Sequence, residues 1–269
     1  MIHEIIKYGL LGIGGTIVTS YIIESRMKDY DTVIEPPVDT VSIIMPSYNE
    51  ELFVEEACKS IKNQSIIQQY PEFFEFILVD SGSTDTTVEL ARPYVDKIII
   101  AGRGKLTAKN MAIDIAKGNI IVSVDSDSIY PNGWLNTLLK PFNNIEVVGT
   151  SGSTSDYDIP FVFGQIHSIV SVLNQSLFYP NQLVGRNCAF RKDIFYKIGK
   201  YNEKVNQQDL QIMLFEEETG FGDRIAKYGK VEYLLTAGCI HKGGFRIGCR
   251  MKTVEEKACE ILGIGKSRF

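Results

Sequence analysis

Two aspartates, Asp125 and Asp127, stand two positions apart directly after the apolar run 119–124. Side chains at positions i and i+2 of an extended segment point the same way, so both carboxylates can face one cation. Carboxylate oxygens are ligands that suit Mg²⁺ or Mn²⁺, and open α/β sheets bind their ligands at the ends of such strands. An Asp-x-Asp pair also occurs in ordinary surface turns, so its weight depends on the polar clusters elsewhere in the chain.

Two further polar clusters each follow an apolar run, at 46–50 (Pro-Ser-Tyr-Asn-Glu) and at 80–85 (Asp-Ser-Gly-Ser-Thr-Asp). Each has a plain structural explanation, because residues 83–85 can cap a helix and residues 46–47 can turn the chain. The carboxyl ends of parallel strands lie along one edge of a sheet. The sequence therefore predicts that both clusters and the acidic pair converge at that edge.

The elements that position these clusters follow from the alternation of apolar runs and amphipathic stretches. Strands are expected at 41–45, 74–79, 97–101 and 119–124, and helices at 50–63, 84–94 and 106–117. Further helices are expected at 133–142, 161–177, 193–198, 222–228 and 252–262, with strands at 146–150 and 231–235. This order predicts βαβ units with right-handed crossovers, in a mostly parallel sheet flanked by helices. With no internal repeat, residues 40–269 are expected to form one α/β domain.

The composition excludes several classes of protein. The chain has 269 residues and a net charge of −5, without a long basic block, so nucleic acid is not expected as a partner. Its five cysteines are odd in number, widely spread and without a Cys-x-x-Cys pair. That pattern argues against a disulfide framework or a zinc knuckle, and it favours a reducing compartment.

The N-terminus predicts a membrane anchor. Residues 5–23 contain only one charged side chain, Lys7, and their length is at the short end of the roughly 17–25 residues of a membrane span. Small residues recur at four-residue steps, Gly12, Thr16 and Ser20, as in transmembrane helices that approach closely. Residues 1–28 are thus expected to form a single-pass anchor helix with the catalytic domain on the cytosolic side, and residues 29–39 a linker. The alternative is a helix buried in the domain or in a homo-oligomer.

The order of the motifs resembles that of family 2 glycosyltransferases, which have the GT-A fold. The resemblance rests on Pro-Ser-Tyr-Asn-Glu at 46–50, Val-Asp-Ser-Gly-Ser-Thr-Asp at 79–85, Ala-Lys-Asn at 108–110 and Val-Asp-Ser-Asp at 124–127. It continues through 131–135, 184–191 and 198–203 and ends at about His241, so it covers roughly residues 40–245. It implies a Rossmann-like GT-A sheet and an inverting transferase. Such an enzyme moves a sugar from a UDP- or GDP-linked donor to a hydroxyl acceptor with Mn²⁺ or Mg²⁺.

The resemblance also implies roles for residues of this chain. Those expected to contact the nucleotide sugar are Pro46, Tyr48, Glu50, Asp80, Lys109, Asp125 and Ser126, with Asp80 at the base edge and Lys109 where the family usually has Arg. Asp127 would bind the metal, with Asp125 close to it and His241 as a third ligand. Gly185, Arg186 and Asn187 would line the acceptor side of the sugar pocket. The glycine-rich segment after His241 is expected either to close over the diphosphate as a basic loop or to be an ordinary turn.

The general base is less well defined. Family members carry it as the Asp of a Glu-Asp pair, with an Arg six residues later. Here the best register is the run 216–218, with Glu217 and Glu218 as the pair and Arg224 as the arginine. Glu218 is the first candidate for the base and Asp209 the second. The alternative explanation for three successive glutamates is a solvated helix face.

Two other functions compete with a transferase. Val-Asp-Ser-Asp also resembles the nucleophile motif of haloacid-dehalogenase-like phosphatases, although that motif belongs on the first strand. The unusual base motif is also compatible with a membrane-anchored protein that binds nucleotide sugars without turning them over. The Gln-x-x-Arg-Trp motif of processive synthases is not present, since Trp134 is the only tryptophan. A single transfer per encounter is expected, to a lipid or a membrane-borne glycan.

Overall fold

The computed structural model describes residues 34–156, 180–207, 213 and 216–242. Several sequence-based expectations lie outside these ranges. They are the anchor 1–28, residues 29–33 of the linker, the helices at 161–177 and 252–262, the candidate base Asp209 and the segment after residue 242.

The core of the fold is one sheet of eight strands. Its strands are β1 (Val41–Ser47), β2 (Phe74–Asp80), β3 (Lys97–Ile100), β4 (Ile120–Val124), β5 (Ser128–Ile129), β6 (Val147–Asp156), β7 (Asn187–Arg191) and β8 (Lys230–His241). They lie in the order β3-β2-β1-β4-β7-β6-β8-β5. β1 is parallel to β2 and β4, whereas β7 is antiparallel to β4 and β6, and β5 to β8. β2 is also parallel to β3, and β6 to β8, so four of the seven strand pairs are parallel and three are antiparallel. The expected parallel arrangement is present in β3-β2-β1-β4, and the antiparallel pairs make the whole sheet mixed.

Most of the expected helices that the structure describes are shorter than the sequence pattern predicts. Within the described ranges they are α1 (Val54–Lys62), α2 (Ser65–Gln69), α3 (Thr87–Ala91), α4 (Lys105–Ile115), α5 (Trp134–Leu139), α6 (Lys192–Lys197) and α7 (Phe221–Ile225). Helix α1 begins four residues later than expected, because residues 50–53 first form a turn in which the Glu50 carbonyl accepts from Phe53 and Val54. Among the described helices, none has the length and apolar character needed to cross a membrane.

Two apolar cores cover the two faces of the sheet. Ile43 and Met45 of β1 face one core, and Ile44 between them faces the other. In β2, Leu78 faces the same core as Ile43, and Val79 faces the same core as Ile44. Strands buried on both faces read as continuous apolar runs, which explains why these strands were visible in the sequence.

The register between β6 and β8 shifts near Gly152, where β8 bulges towards β6. A Cβ atom on Gly152 would overlap with the carbonyl oxygen of Ala237 and lie 2.5 Å from Nδ2 of Asn187. Asn187 donates to that same carbonyl at 2.8 Å. The bulge therefore requires glycine at position 152.

The substitution Gly152→Ala should lower the free energy of unfolding by about 1–3 kcal/mol, the usual cost of overpacking a filled interior. Urea denaturation measures the change. Gly102→Ala is the matched control, because a Cβ there meets no atom within 4 Å, and its effect should stay within about 0.5 kcal/mol. Equal effects of the two substitutions would contradict the packing described for Gly152.

Candidate active site

A cleft of about 440 Å³ lies at the carboxyl ends of β1, β2 and β4. Its lining comes from the segments that the sequence singled out and from the loop before α4. The lining residues are Pro46, Ser47, Tyr48, Glu50, Ser81, Arg103, Gly104, Lys105, Asp125, Ser126 and Asp127. The predicted convergence of the polar clusters is confirmed.

Asp80 organises the loop beside the cleft. Its Oδ1 accepts from the hydroxyls of Ser47 at 3.0 Å and Ser83 at 2.5 Å. Its Oδ2 accepts from the backbone N–H groups of Gly82 at 3.0 Å and Ser83 at 2.7 Å. A carboxylate offers about four lone-pair sites, so these bonds occupy the group. Asp80 thus holds the loop, and its expected contact with a base edge stays a prediction.

The rim of the cleft carries a tyrosine and an arginine. The Tyr48 side chain is 40% exposed, and the Arg103 guanidinium carbon lies 5.9 Å from the centroid of its ring. Arg103 Nη2 also donates to the Tyr48 hydroxyl at 3.5 Å. An exposed ring beside a guanidinium offers two flat surfaces on which a planar group can stack.

Asp125 is ionised because basic side chains surround it. Lys105, the first residue of α4, places its Nζ 3.3 Å from Asp125 Oδ1. Burial raises the pKa of Asp125, but the positive charges of Lys105, Lys109 and Arg186 outweigh burial and hold this pKa well below its usual range.

Sequence reasoning missed Lys105 and Arg103. Two basic residues that flank a glycine at the start of a helix were nevertheless a signal that the sequence contains.

The second aspartate of the pair meets a histidine. The short strand β5 pairs with the end of β8, with Ser128 opposite His241. This pairing brings His241 Nε2 within 3.3 Å of Asp127 Oδ2. The backbone N–H of Lys242 donates to the Asp127 carbonyl at 2.7 Å. The expected proximity of Asp127 and His241 is therefore present in the structure.

These donors fit a divalent cation that shares its coordination with a ligand. A carboxylate and an imidazole nitrogen suit Mn²⁺, and Asp125 Oδ1 is buried without a hydrogen bond. No group of three or more His, Cys, Asp or Glu in the described residues can hold a metal by itself. A cation at Asp127 and His241 must therefore complete its shell with oxygens from a bound molecule or water.

Lys109 is fully buried and has a different role from the expected one. Its Nζ donates to Ser123 Oγ at 2.7 Å, to the Gly185 carbonyl at 2.9 Å and to Glu217 Oε1. An ammonium group has three protons to donate, and these three acceptors take them all. The expectation that Lys109 contacts a nucleotide is corrected: it ties α4 to β4, to the turn before β7 and to Glu217.

The three glutamates form a single π-helical turn, Glu216–Gly220, and each has its own surroundings. Glu216 accepts two hydrogen bonds from Arg224, at 2.9 and 2.6 Å. Glu217 is only 1% exposed and lies against Lys109 and, at 3.1 Å, Lys105. Isolated π-helical turns occur frequently at functional sites. The solvated helix face considered from the sequence is excluded.

Glu218 is the glutamate of this turn with the properties of a base. Gln182 Nε2 donates to its Oε2 at 2.7 Å. Burial and the charge of Glu217 raise the pKa of Glu218, and the positive charge of Arg186 opposes this rise. The charges of Asp125, Asp127 and Glu218 all raise the pKa of Arg186. Arg186 is therefore within electrostatic range of both the base candidate and the acidic pair.

The residues of the motif 185–187 have different structural roles. Gly185 lies so close to Glu217 that a Cβ would stand 2.5 Å from its Oε1, and only glycine fits there. Asn187 is fully buried, with Oδ1 accepting from Trp134 Nε1 at 2.8 Å and Nδ2 donating to the carbonyls of Ser153 and Ala237. The expectation that the Asn187 side chain lines a sugar pocket is corrected, because its amide is used inside the protein.

Comparison with known proteins places this site in context. Residues 42–210 match the family model described as "Glycosyl transferase family 2". An uncharacterized glycosyltransferase of Haemophilus influenzae is 31% identical over 126 residues, which are 44% of this chain and 48% of that protein. A hyaluronan synthase of Streptococcus pyogenes is 30% identical over 158 residues, 53% of this chain and 36% of that protein. The chain thus matches less than half the length of these relatives.

Solved structures share the fold. A mannosyltransferase from Pyrobaculum calidifontis in complex with GDP-Man and Mn²⁺ aligns with a TM-score of 0.60 at 20% identity, over 100% of this chain and 78% of that chain. TarS 1-349 of S. aureus in complex with UDP-GlcNAc aligns with a TM-score of 0.56 at 16% identity, over 76% of this chain and 58% of that chain. At these identities the likeness shows the fold, a mixed sheet with flanking helices that fits GT-A.

The reassignment of Lys109 can be tested by stability. Lys109→Ala should lower the free energy of unfolding by about 3–5 kcal/mol, because it breaks a buried ion pair and leaves Glu217 with Lys105 alone. Lys197→Ala is the matched control, since the Lys197–Asp193 pair at 2.8 Å is exposed and should contribute less than about 1 kcal/mol. Chemical denaturation of both variants decides the matter. A Lys109→Ala protein as stable as the control would show that this lysine is not structural.

Proposed function

The chain belongs to glycosyl transferase family 2, and from this premise we propose that it transfers a sugar from a nucleoside-diphosphate sugar to a hydroxyl acceptor, with inversion and with Mn²⁺ or Mg²⁺ bound. The observation that carries the proposal is the contact of 3.3 Å between Asp127 and His241 beside the cleft. Two such ligands, with further oxygens required, suit a cation that bridges protein and diphosphate.

The cleft supplies surfaces for each part of a donor. Tyr48 and Arg103 offer flat groups for the base, and Pro46 and Glu50 border the same space. Arg103 and Lys105 supply positive charge for the diphosphate, since ammonium and guanidinium groups are the usual phosphate ligands of proteins. The structures with GDP-Man and with UDP-GlcNAc have this fold, which supports a UDP- or GDP-linked donor here.

The proposed roles separate the metal, held by Asp127 and His241, from the acceptor proton, taken by Glu218. When bound at Asp127 and His241, a divalent cation offsets the charge that develops on the diphosphate leaving group. Glu218 accepts the proton of the acceptor hydroxyl, since a raised pKa makes a carboxylate a better general base near neutral pH. The positive charge of Arg186 stabilises the ionised form of Glu218. Asp209 is the alternative base.

We also propose that residues 5–23 anchor the chain in a membrane as a single-pass helix, with the catalytic domain 40–269 in the cytosol and a lipid or glycan as acceptor. The run of 16 uncharged residues from Tyr8 to Ile23 supports this proposal. Fractionation of cells that express the full chain or a chain lacking residues 1–28 tests it. Identical distribution of the two proteins would contradict an anchor.

The two competing functions differ from a transferase in what they turn over. A haloacid-dehalogenase-like phosphatase carries its nucleophile after the first strand, whereas Asp125 follows β4 and is paired with Lys105. A protein that only binds nucleotide sugars would bind the donor without releasing a nucleoside diphosphate. A turnover experiment therefore separates the three functions.

Purified protein with Mn²⁺ and a panel of nucleotide sugars should release nucleoside diphosphate from at least one of them, and excess EDTA should stop the release. Asp127→Ala should lower this turnover by roughly 10²-fold or more, because the leaving-group charge loses its counterion. The protein should stay folded, since one carboxylate fewer relieves like-charge repulsion. Asp193→Ala, an exposed aspartate, is the control. Equal turnover with and without EDTA, or phosphate release from simple monoesters, would contradict the proposed function.

Glu218→Gln should keep nucleoside-diphosphate binding and lower kcat by roughly 10²–10⁴-fold, the usual contribution of a positioned base. It should also change stability in a defined direction. Because the folded pKa of Glu218 lies above the ordinary 4.5, the folded chain binds this proton more tightly than the unfolded chain. Stability then falls as pH rises from 4.5 through the raised pKa, so at neutral pH Glu218→Gln should unfold at a higher temperature than wild type.

Thermal unfolding between pH 4 and 8 measures this difference. Glu146→Gln is the matched control, because Glu146 is exposed and its nearest cation, Lys230, lies 3.6 Å away. That control should show the wild-type dependence of stability on pH. Unchanged turnover in Glu218→Gln would exclude Glu218 as the base and leave Asp209.

A further inference from the structure

Glu217 contacts two lysines of one helix. Lys105 and Lys109 stand four positions apart on α4, so both face the same side of the helix. Lys105 Nζ lies 3.1 Å from Glu217 Oε1, and Lys109 Nζ donates to that same oxygen. Since Glu217 is 1% exposed, its carboxylate cannot reach the hydroxyl of an acceptor. Glu217 is therefore not the base, although the sequence grouped it with Glu218.

On the donor side, Glu217 fixes an aspartate through Lys105. The same Nζ lies 3.3 Å from Asp125 Oδ1, so one ammonium group is shared between the buried glutamate and the acidic pair. Loss of the glutamate charge would free Lys105 to move fully towards Asp125 or into the cleft. The position of Asp125 in the cleft thus depends on Glu217.

On the base side, Glu217 fixes the backbone before β7. Lys109 donates to the Gly185 carbonyl at 2.9 Å, and the Cα of Gly185 packs directly against the Glu217 carboxylate. The next residue is Arg186, whose charge acts on both Glu218 and Asp125. A displaced Glu217 would therefore move Arg186 relative to the base.

We propose that Glu217 is a positioning residue of the transfer reaction: it fixes Lys105 and Asp125 on the donor side and the Gly185–Arg186 backbone on the base side. This inference rests on the proposed function. It goes beyond that function, because Glu217 is a buried carboxylate that touches neither substrate. Even so, the geometry of both the donor side and the base side depends on it.

The charges around Glu218 give this role a measurable signature. Glu218 faces Glu217 of its own turn, Arg186 and Gln182 from the segment before β7, and Lys105 from α4. Neutralising Glu217 removes the negative charge next to Glu218 and removes neither positive charge, that of Arg186 or that of Lys105. Such a change favours the ionised form of Glu218 and lowers its pKa. A side chain that merely fills space would not have this effect.

The experiment compares Glu217→Gln with Glu216→Gln. Glu216 is the matched control, because it lies in the same turn and is also ion-paired, but with Arg224 and not with α4. Carbon-13 NMR of side-chain carboxyl groups follows the titration of Glu218, whose signal is assigned by its loss in Glu218→Gln. Kinetics with the best donor of the nucleotide-sugar panel gives kcat and its dependence on pH.

In Glu217→Gln, the titration midpoint of Glu218 should fall by about one pH unit or more. The acidic limb of the kcat profile should move with it, and kcat should drop by about 10-fold or more because the reacting groups are misplaced. Glu216→Gln should lose stability, yet its midpoint should stay within about 0.3 units of wild type, since Arg224 and not Glu218 is its partner.

The same midpoint and the same kcat in both variants would overturn the inference. If Glu217→Gln does not fold, Glu217→Asp replaces it: the charge remains, so the midpoint should hold, while the shorter side chain should still lower kcat. An unchanged kcat in Glu217→Asp would then overturn the inference. If wild type turns over no nucleotide sugar, the proposed function fails, and the NMR titrations still decide whether Glu217 acts on Glu218.

Discussion

The buried ion pair between Lys109 and Glu217 is the constraint on which the site depends. Both side chains are 1% exposed, and charges removed from water remain ionised only when they are paired and hydrogen-bonded. Their pairing forces α4, β4, the turn at Gly185 and the turn at Glu216–Gly220 to meet at one point. Lys105 and Asp125 of the cleft, and Glu218 of the glutamate turn, are held at the edges of this junction. Breaking such a pair costs far more free energy than forming it contributes. The segments that meet at this junction are therefore kept together.

The sheet explains how acidic and basic groups come together in the site. Parallel β1, β2 and β4 end at one edge and carry polar loops there, while antiparallel β7 and the β5–β8 pair bring residues from far along the chain. One result is the meeting of His241 with Asp127. Another is that the positive charges of Lys105 and Arg186 act on Asp125 and keep it ionised. In the proposed function the negative groups serve the metal and the positive groups serve the diphosphate.

The sequence predicted the strands and the cleft well, and the pairings within the site poorly. Apolar runs such as 74–79 are local signals, and β2 follows them. Strand β7 was missed because Asn187–Arg191 contains polar residues at both ends. Lys109 was assigned to a ligand because its partner Glu217 lies 108 positions away, and no local pattern reveals such a contact. The role of Asp80 in holding its loop was missed for a different reason: it depends on the exact backbone path.

The central claim is that the cleft holds a divalent cation together with a nucleoside diphosphate at Asp127 and His241. Anomalous diffraction at the manganese edge, from crystals soaked with Mn²⁺ and either UDP or GDP, tests it most directly. The account predicts one strong peak within coordination distance of Asp127 and His241 that also contacts diphosphate oxygens. A nucleotide bound in the cleft without such a peak, or a peak that touches neither side chain, would contradict it.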